Sequence, residues 1–204
     1  QQSIISKIFE NVAGDQLKDA RLWMERITNP PARRIAERSL QIAIARADPL
    51  AALDIAATMK DKAAASDLAL AAVSEAAKLG PGVLRTMAAK TSEPNTLSSI
   101  ITTLTHTDPD EAARIATDFL SNAASHPPPT WTQQNVAQSV ARSLAAREVT
   151  AAVEWADKLS GNGRVAAMKE IASIWGRQDP QAALAWFDAH RETDLTNRTS
   201  APAT

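Results

Sequence analysis

The chain has 204 residues, 45% of them hydrophobic but only 4% aromatic, an alanine-rich balance suited to closely packed helices. Its 22 basic and 23 acidic side chains give a formal charge of −1, which argues against the basic face that a nucleic-acid partner requires. With no cysteine, disulfides, thiolate chemistry and cysteine-ligated metals are excluded, and no apolar run reaches the roughly 20 residues of a membrane span.

In chain order, residues 3–13 are predicted to form a first helix with Ile4, Ile5, Ile8, Phe9 and Val12 on one side, ended by Gly14-Asp15. A helix over 16–27 carries Trp23 and Met24, and Asn29-Pro30-Pro31 reads as a rigid break. Helices over 32–47 and 49–60 meet at Asp48-Pro49, and an Ala, Leu and Val stretch predicts a helix over 63–79, stopped by Gly80-Pro81-Gly82. The segment 81–106 is the least regular, because Thr102, Thr103 and Thr105 are poor helix formers, and the weakest point of the array is expected there.

A helix over 109–120 leads to a loop through residue 129 whose three prolines favour an extended, semi-rigid path. Thr132 is the expected N-cap of the next helix, with Trp131 and Val136 spaced for a hydrophobic staple. The last predicted helices cover 132–147, 149–159, 164–178 and 180–190. Residues 191–204 have one Leu and no periodicity, and read as a disordered tail.

A single register organises these elements. Six anchors, Gln16, Asp48, Gly80, Asp108, Glu148 and Asp179, lie 28 to 40 residues apart, and proline follows four of them. At −12, −8 and −4 from the anchor stand apolar stripes such as Ala36/Leu40/Ile44, Val136/Val140/Leu144 and Ala167/Ile171/Trp175. At +4 stands a small residue in most copies (Ala20, Ala52, Leu84, Ala112, Ala152, Ala183), and at +7 a large one (Trp23, Ile55, Met87, Ile115, Trp155, Trp186). An alanine beside a bulky residue is what two closely approaching helices need. A lone amphipathic pair cannot bury its stripe, so a period of this length implies stacked units. The expected fold is all-α, a right-handed α-α superhelix over residues 1–190 of about six helix-pair repeats of roughly 31 residues.

The six-residue spacing from Pro180 to Trp186 and the Ala-rich helix pairs resemble bacterial α-helical repeat proteins of the tetratricopeptide-like and HEAT-like kind, over residues 3–190. That resemblance implies binding of a protein or peptide on a concave face.

The search for chemistry finds no catalytic set, cofactor motif or metal-ligand spacing. His106, His126 and His190 fall in three different units, and Gly161-Asn162-Gly163-Arg164 lacks the lysine and preceding strand of a phosphate loop, reading instead as a helix–helix turn with a left-handed glycine. Asp108, Asp110 and Glu111 sit at a helix N-terminus, where carboxylates complement the dipole. Trp23, Trp155, Trp175 and Trp186 hold core positions of the register, whereas Trp131 borders the proline loop and is the tryptophan expected to touch a ligand. Positions off the stripe (Arg38, Ser98, Gln138 and Lys169 at −10, with Arg142 at −6) read first as a plain solvated helix face, with a mildly basic ridge for an acidic peptide as the functional alternative.

The reading is therefore a non-enzymatic scaffold with no cofactor, binding a protein or peptide through Arg38, Arg142, Lys169 and Trp131. The alternative is a structural or accessory segment of a larger, exported assembly or cell-wall enzyme, with an end-to-end contact through Trp186 and Phe187. A first residue that is Gln rather than Met fits either a removed signal peptide, which leans toward an extracytoplasmic location, or a piece cut from a longer chain.

Overall fold

A computed structural model describes residues 19–20, 22–23, 26–121, 129–177, 179–186 and 188. The predicted helix 3–13, the anchor Gln16, Met24, the loop residues 122–128 with His126, Phe187, His190 and the tail 191–204 lie outside the described residues. The described chain is all-helical, in the order α1 (Pro30–Ala47), α2 (Pro49–Thr58), α3 (Lys62–Leu79), α4 (Pro81–Lys90), α5 (Pro94–Leu104), α6 (Pro109–Ser121), α7 (Thr130–Arg147), α8 (Val149–Asp157) and α9 (Gly161–Trp175), with residues 180–186 also helical.

The anchors explain why these helices begin and end where they do. At Asp48 the backbone is extended (φ −156°, ψ 101°). Its N–H donates to the Ile44 carbonyl at 3.2 Å and its own carbonyl accepts from Ala52 at 2.9 Å, so one residue closes α1 and opens α2. Its carboxylate accepts from the N–H groups of Leu50 and Ala51 at 2.9 and 3.0 Å, and Pro49 supplies a first helical residue that has no N–H to satisfy. The same double bonding recurs at Asp108, Glu148 and Asp179, where Leu104, Leu144 and Trp175 accept and Ala112, Ala152 and Ala183 donate. At Gly80 the turn instead needs φ +107°, a conformation that side chains disfavour.

Glu148 has the backbone of the Asp48 anchor but makes no side-chain cap bond. Asp48→Ala is expected to cost about 1 kcal/mol of unfolding free energy, and Glu148→Ala less than about 0.5 kcal/mol, by urea titration. Equal losses would mean that the carboxylate cap contributes nothing beyond the backbone turn.

Some boundaries differ from expectation. α1 begins at Pro30, not residue 32, because Asn29 Oδ1 accepts from the Ala32 N–H at 3.0 Å and both prolines fit the donor-free first turn. α7 begins at Thr130, because the Pro129 carbonyl already accepts from Thr132 and Gln133. Thr132 is thus a fully buried residue inside the helix rather than its cap, and the staple does not form, since Trp131 is 59% exposed above a buried Val136. α9 opens at Gly161, whose φ of +58° is the left-handed glycine expected of that turn.

The chain forms two compact units, Gln1–Thr103 and Leu104–Thr204, and the division falls inside α5, in the threonine-rich stretch. There the Thr102 and Thr103 hydroxyls donate back to the carbonyls of Ser98 and Ser99, a bonding pattern that weakens helices slightly. In the first unit α1 packs on α2 and α3, α2 on α3 and α4, and α3 on α4. Its core is Ala36, Leu40, Ile44, Ala52, Leu68, Ala72, Leu84 and Met87, all buried. The Gln41 amide also donates to the Ala64 carbonyl, tying α1 to the start of α3.

In the second unit α7 packs on α6, α8 and α9, and α8 on α9. Val136, Val140, Ala167 and Ile171 are fully buried between the long helices. Trp155, 5% exposed, donates its indole N–H to the Ala113 carbonyl at 3.1 Å and to Thr117 Oγ1 at 3.0 Å, crossing from α8 to α6. Gly163 lies where an added Cβ would meet Leu120 Cδ1 at 3.3 Å, so the bare backbone of α9 rests against the end of α6.

The register itself survives in the described residues. All six +4 residues are buried: Ala20, Ala52, Leu84, Ala112 and Ala152 completely and Ala183 at 4% exposure. At +7, Met87, Ile115 and Trp155 are buried and Ile55 and Trp186 half-buried. Trp23 departs from the core position expected of it, being 46% exposed, and its carbonyl accepts from the Arg26 N–H at 3.1 Å.

Candidate functional site

A groove of about 530 Å³ runs along the first unit between α2, α3 and the turn joining α4 to α5. That size lies within the range of about 300–1,000 Å³ typical of ligand sites. Four residues of α3, Lys62, Ala65, Ser66 and Ala69, line it at the i, i+3, i+4, i+7 spacing of one helical face. Leu53 and Ala56 of α2 form a buried apolar floor, and exposed Ala57 borders them.

The third wall is a turn whose bonding holds its shape. The Glu93 N–H donates to Thr91 Oγ1 at 3.2 Å. Glu93 Oε1 accepts from the Asn95 N–H at 3.1 Å, and Oε2 accepts from both the N–H and the hydroxyl of Thr96 at 2.7 Å. A carboxylate at this position satisfies orphan donors of α5 and faces the positive end of its dipole. Across the rim, Lys90 Nζ donates to both Asp54 oxygens at 3.0 and 2.8 Å, joining α4 to α2. Both side chains are well exposed, so the pair is worth about 1 kcal/mol or less; its effect is to position the rim rather than to hold the fold.

The residues singled out from sequence lie elsewhere. Arg38 is exposed on α1 in the first unit and does not line the groove. Arg142, exposed on α7, donates Nε–H to Glu170 Oε1 at 2.8 Å; this hydrogen bond and the Glu170 charge raise the guanidinium pKa further above its usual range. The pairing offsets much of the positive charge that a basic ridge would need at this point. Lys169 is exposed next to Glu170, and Ser98 and Gln138 are half-buried. Trp131 is exposed in the first turn of α7, outside the groove. Arg38 thus belongs to one unit and Arg142, Lys169 and Trp131 to the other.

Lys169 does line a second, shallower depression of about 390 Å³ with Ala172, Gly176, Pro180 and Ala183, beside a 63% exposed Leu184. Trp186, read from sequence as a core position and as one half of an end-to-end contact, is half-buried and packs against Trp175 with ring centroids 6.1 Å apart and planes tilted by 47°. Its partner in that expectation, Phe187, lies outside the described residues. His106 is exposed in the turn after α5.

Sequence reasoning missed the groove. Its one trace is the run Lys62, Ala65, Ser66, Ala69, a face of small residues with a cation at one end, which becomes informative only once that face is seen to be uncovered.

Among the described residues no helix is long and apolar enough to cross a membrane, and no group of three or more His, Asp or Glu side chains is placed to hold a metal ion. The chain matches no family model, and comparison with curated proteins and with solved structures yields no match.

Proposed function

We propose that this chain is a non-enzymatic helical-repeat scaffold that binds a protein or peptide. On this reading the helix pairs stack as a right-handed superhelix of about six units, similar in architecture to tetratricopeptide-like and HEAT-like arrays. The observation that carries it is the recurrence of one packing register: at every anchor the +4 residue is buried, and four anchors share the same double backbone bond. Arrays of this kind present side chains from successive units to an extended partner, and affinity accrues from many small contacts. The groove beside α3 offers such a surface, with an apolar floor and polar rim.

A second reading, a segment that docks within a larger assembly, is favoured by the apolar depression around Ala172, Pro180 and exposed Leu184. Arg38, Arg142, Lys169 and Trp131 remain proposed as outlying contacts for a partner larger than the groove.

Selection from a random displayed peptide library separates the two readings. Peptides enriched on the protein should lose at least about tenfold in affinity on Ala57→Trp, which places an indole over the groove from an exposed position. The same peptides should be unaffected by Leu184→Glu. A reversed pattern would move the contact to the second unit, and a library with no enriched peptide would overturn the peptide-binding reading.

A further inference from the structure

We infer that the depression formed by α9 and the helical residues 180–186 receives an amphipathic α-helix of a partner protein, with Leu184 seated among its small and aliphatic side chains; this deepens the reading of the chain as a docking segment and rests on it.

The same face is covered by a helix at other anchors. Counted from Asp179, the lining residues Ala172, Ser173 and Gly176 stand at −7, −6 and −3, on one helical face, and Leu184 stands at +5. At −7 from Asp48, the Gln41 amide donates to the Ala64 carbonyl of α3 at 3.2 Å. At −3 from Asp108, the Thr105 carbonyl accepts from the Ser143 hydroxyl of α7 at 2.6 Å. At −6 from Glu148, Arg142 donates to Glu170 of α9 at 2.8 Å. In each case the contact comes from the second helix after the anchor, and α3 packs on α1 and α2 as α9 does on α7 and α8.

Burial follows the same pattern. At −7, Val73, Ile101 and Ala141 are buried, and at −3, Ala45, Thr105 and Ala145. At +5, Leu53 and Ala113 are buried and Val153 is half-buried, whereas Arg85 is exposed but charged. Around Asp179, Ala172 and Gly176 are only half-buried, Ser173 is exposed, and Leu184 is 63% exposed although aliphatic. Among the described residues no second helix follows this anchor.

The open face therefore continues a series of helix–helix interfaces already formed within the chain, and what those interfaces take is a helix. The covering helices α3 and α9 have 18 and 15 residues and bury alanines beside Leu68 and Val73 or Met168 and Ile171. An occupant of about four to five turns with a mixed small and aliphatic stripe matches them. Ala172, Gly176 and Ala183 let its backbone come close, and Leu184 fills the space between its side chains. Lys169 is the charged side chain in an otherwise uncharged lining, so burial of apolar surface supplies the affinity.

Fluorescence anisotropy with the full chain tests this. The probes are two lactam-bridged, fluorescein-labelled peptides of about 18 residues, since unbridged helices of that length are marginal in water. One carries Ala and Leu at i, i+3, i+4 and i+7 among Gln and Ser; the other has the same composition reordered so that no face is apolar. The striped peptide should bind at least about tenfold more tightly than the reordered one. Leu184→Glu should abolish the difference, and Ala57→Trp, in the other groove, should leave it unchanged. Leu184 is well exposed, and an unchanged urea midpoint would show that the variant is folded. Equal binding of the two peptides would overturn the helix assignment, and striped-peptide binding insensitive to Leu184→Glu would overturn its place. Self-association of the chain in sedimentation, lost on Leu184→Glu, would overturn the partner assignment in favour of a second copy. Absence of binding by both peptides would overturn this inference alone, because the effect of Leu184→Glu on library-selected peptides judges the docking-segment reading independently.

Discussion

Trp155→Ala is expected to lower the unfolding free energy by about 3–5 kcal/mol, a large share of the roughly 5–15 kcal/mol that holds a typical domain together. The indole is 5% exposed at +7 from Glu148, so its removal leaves a cavity among α6, α7 and α8 that their backbones can close only in part. Its N–H serves both the Ala113 carbonyl and Thr117 Oγ1, and the Thr117 hydroxyl itself donates to Ala113 at 2.8 Å. Trp155→Phe separates the two contributions. It retains most of the apolar volume and removes the donor, for an expected cost of about 1–2 kcal/mol. Urea denaturation followed by far-UV circular dichroism measures both. A loss below about 1 kcal/mol for the alanine variant would show that the +7 residue does not fill the space assigned to it.

The second large effect concerns the +4 position and runs in opposite directions at different anchors. Ala52, Ala112 and Ala152 are fully buried, and Leu at any of them is expected to cost about 1–3 kcal/mol through overpacking. At +4 from Gly80 stands Leu84, also fully buried, and Leu84→Ala is expected to cost about 2–5 kcal/mol. The spacing from the anchor is the same, but each site is packed to its own volume. As a control, Ala57→Leu, on an exposed site one helix turn along from Leu53, should stay within about 0.5 kcal/mol. If Leu were tolerated at all three alanine sites, the helix pairs would not be in close contact at +4, and the common register would lose its physical basis.

Much of the all-helical architecture was legible because its causes are local. Asp48, Asp108 and Asp179 announce helix starts through a carboxylate that reaches its own neighbouring N–H groups, a bond spanning two or three residues of chain. The stripes at −12, −8 and −4 follow from the helical repeat alone, and Ala36, Leu68, Val136 and Ala167 are buried as that spacing requires. The misplaced start of α7 arose from local ambiguity: Thr132 is a good cap residue, but Pro129 offers a free carbonyl three residues earlier. Trp23 shows the limit of the register, since it stands at +7 and is 46% exposed.

The candidate site was not legible, and the reason is also physical. Arg142 reads as an available cation in the sequence, yet Glu170, 28 residues away, lies 2.8 Å from it. Lys62 reads as an ordinary surface residue, yet the walls of the groove come from residues as distant as Thr96. What the sequence by itself determined is the helical register, the caps and the set of buried stripes, since backbone bonding and side-chain periodicity act over one or two turns. The tertiary structure alone decided which faces stay open and which charges find partners, because those depend on where a helix distant in sequence comes to rest.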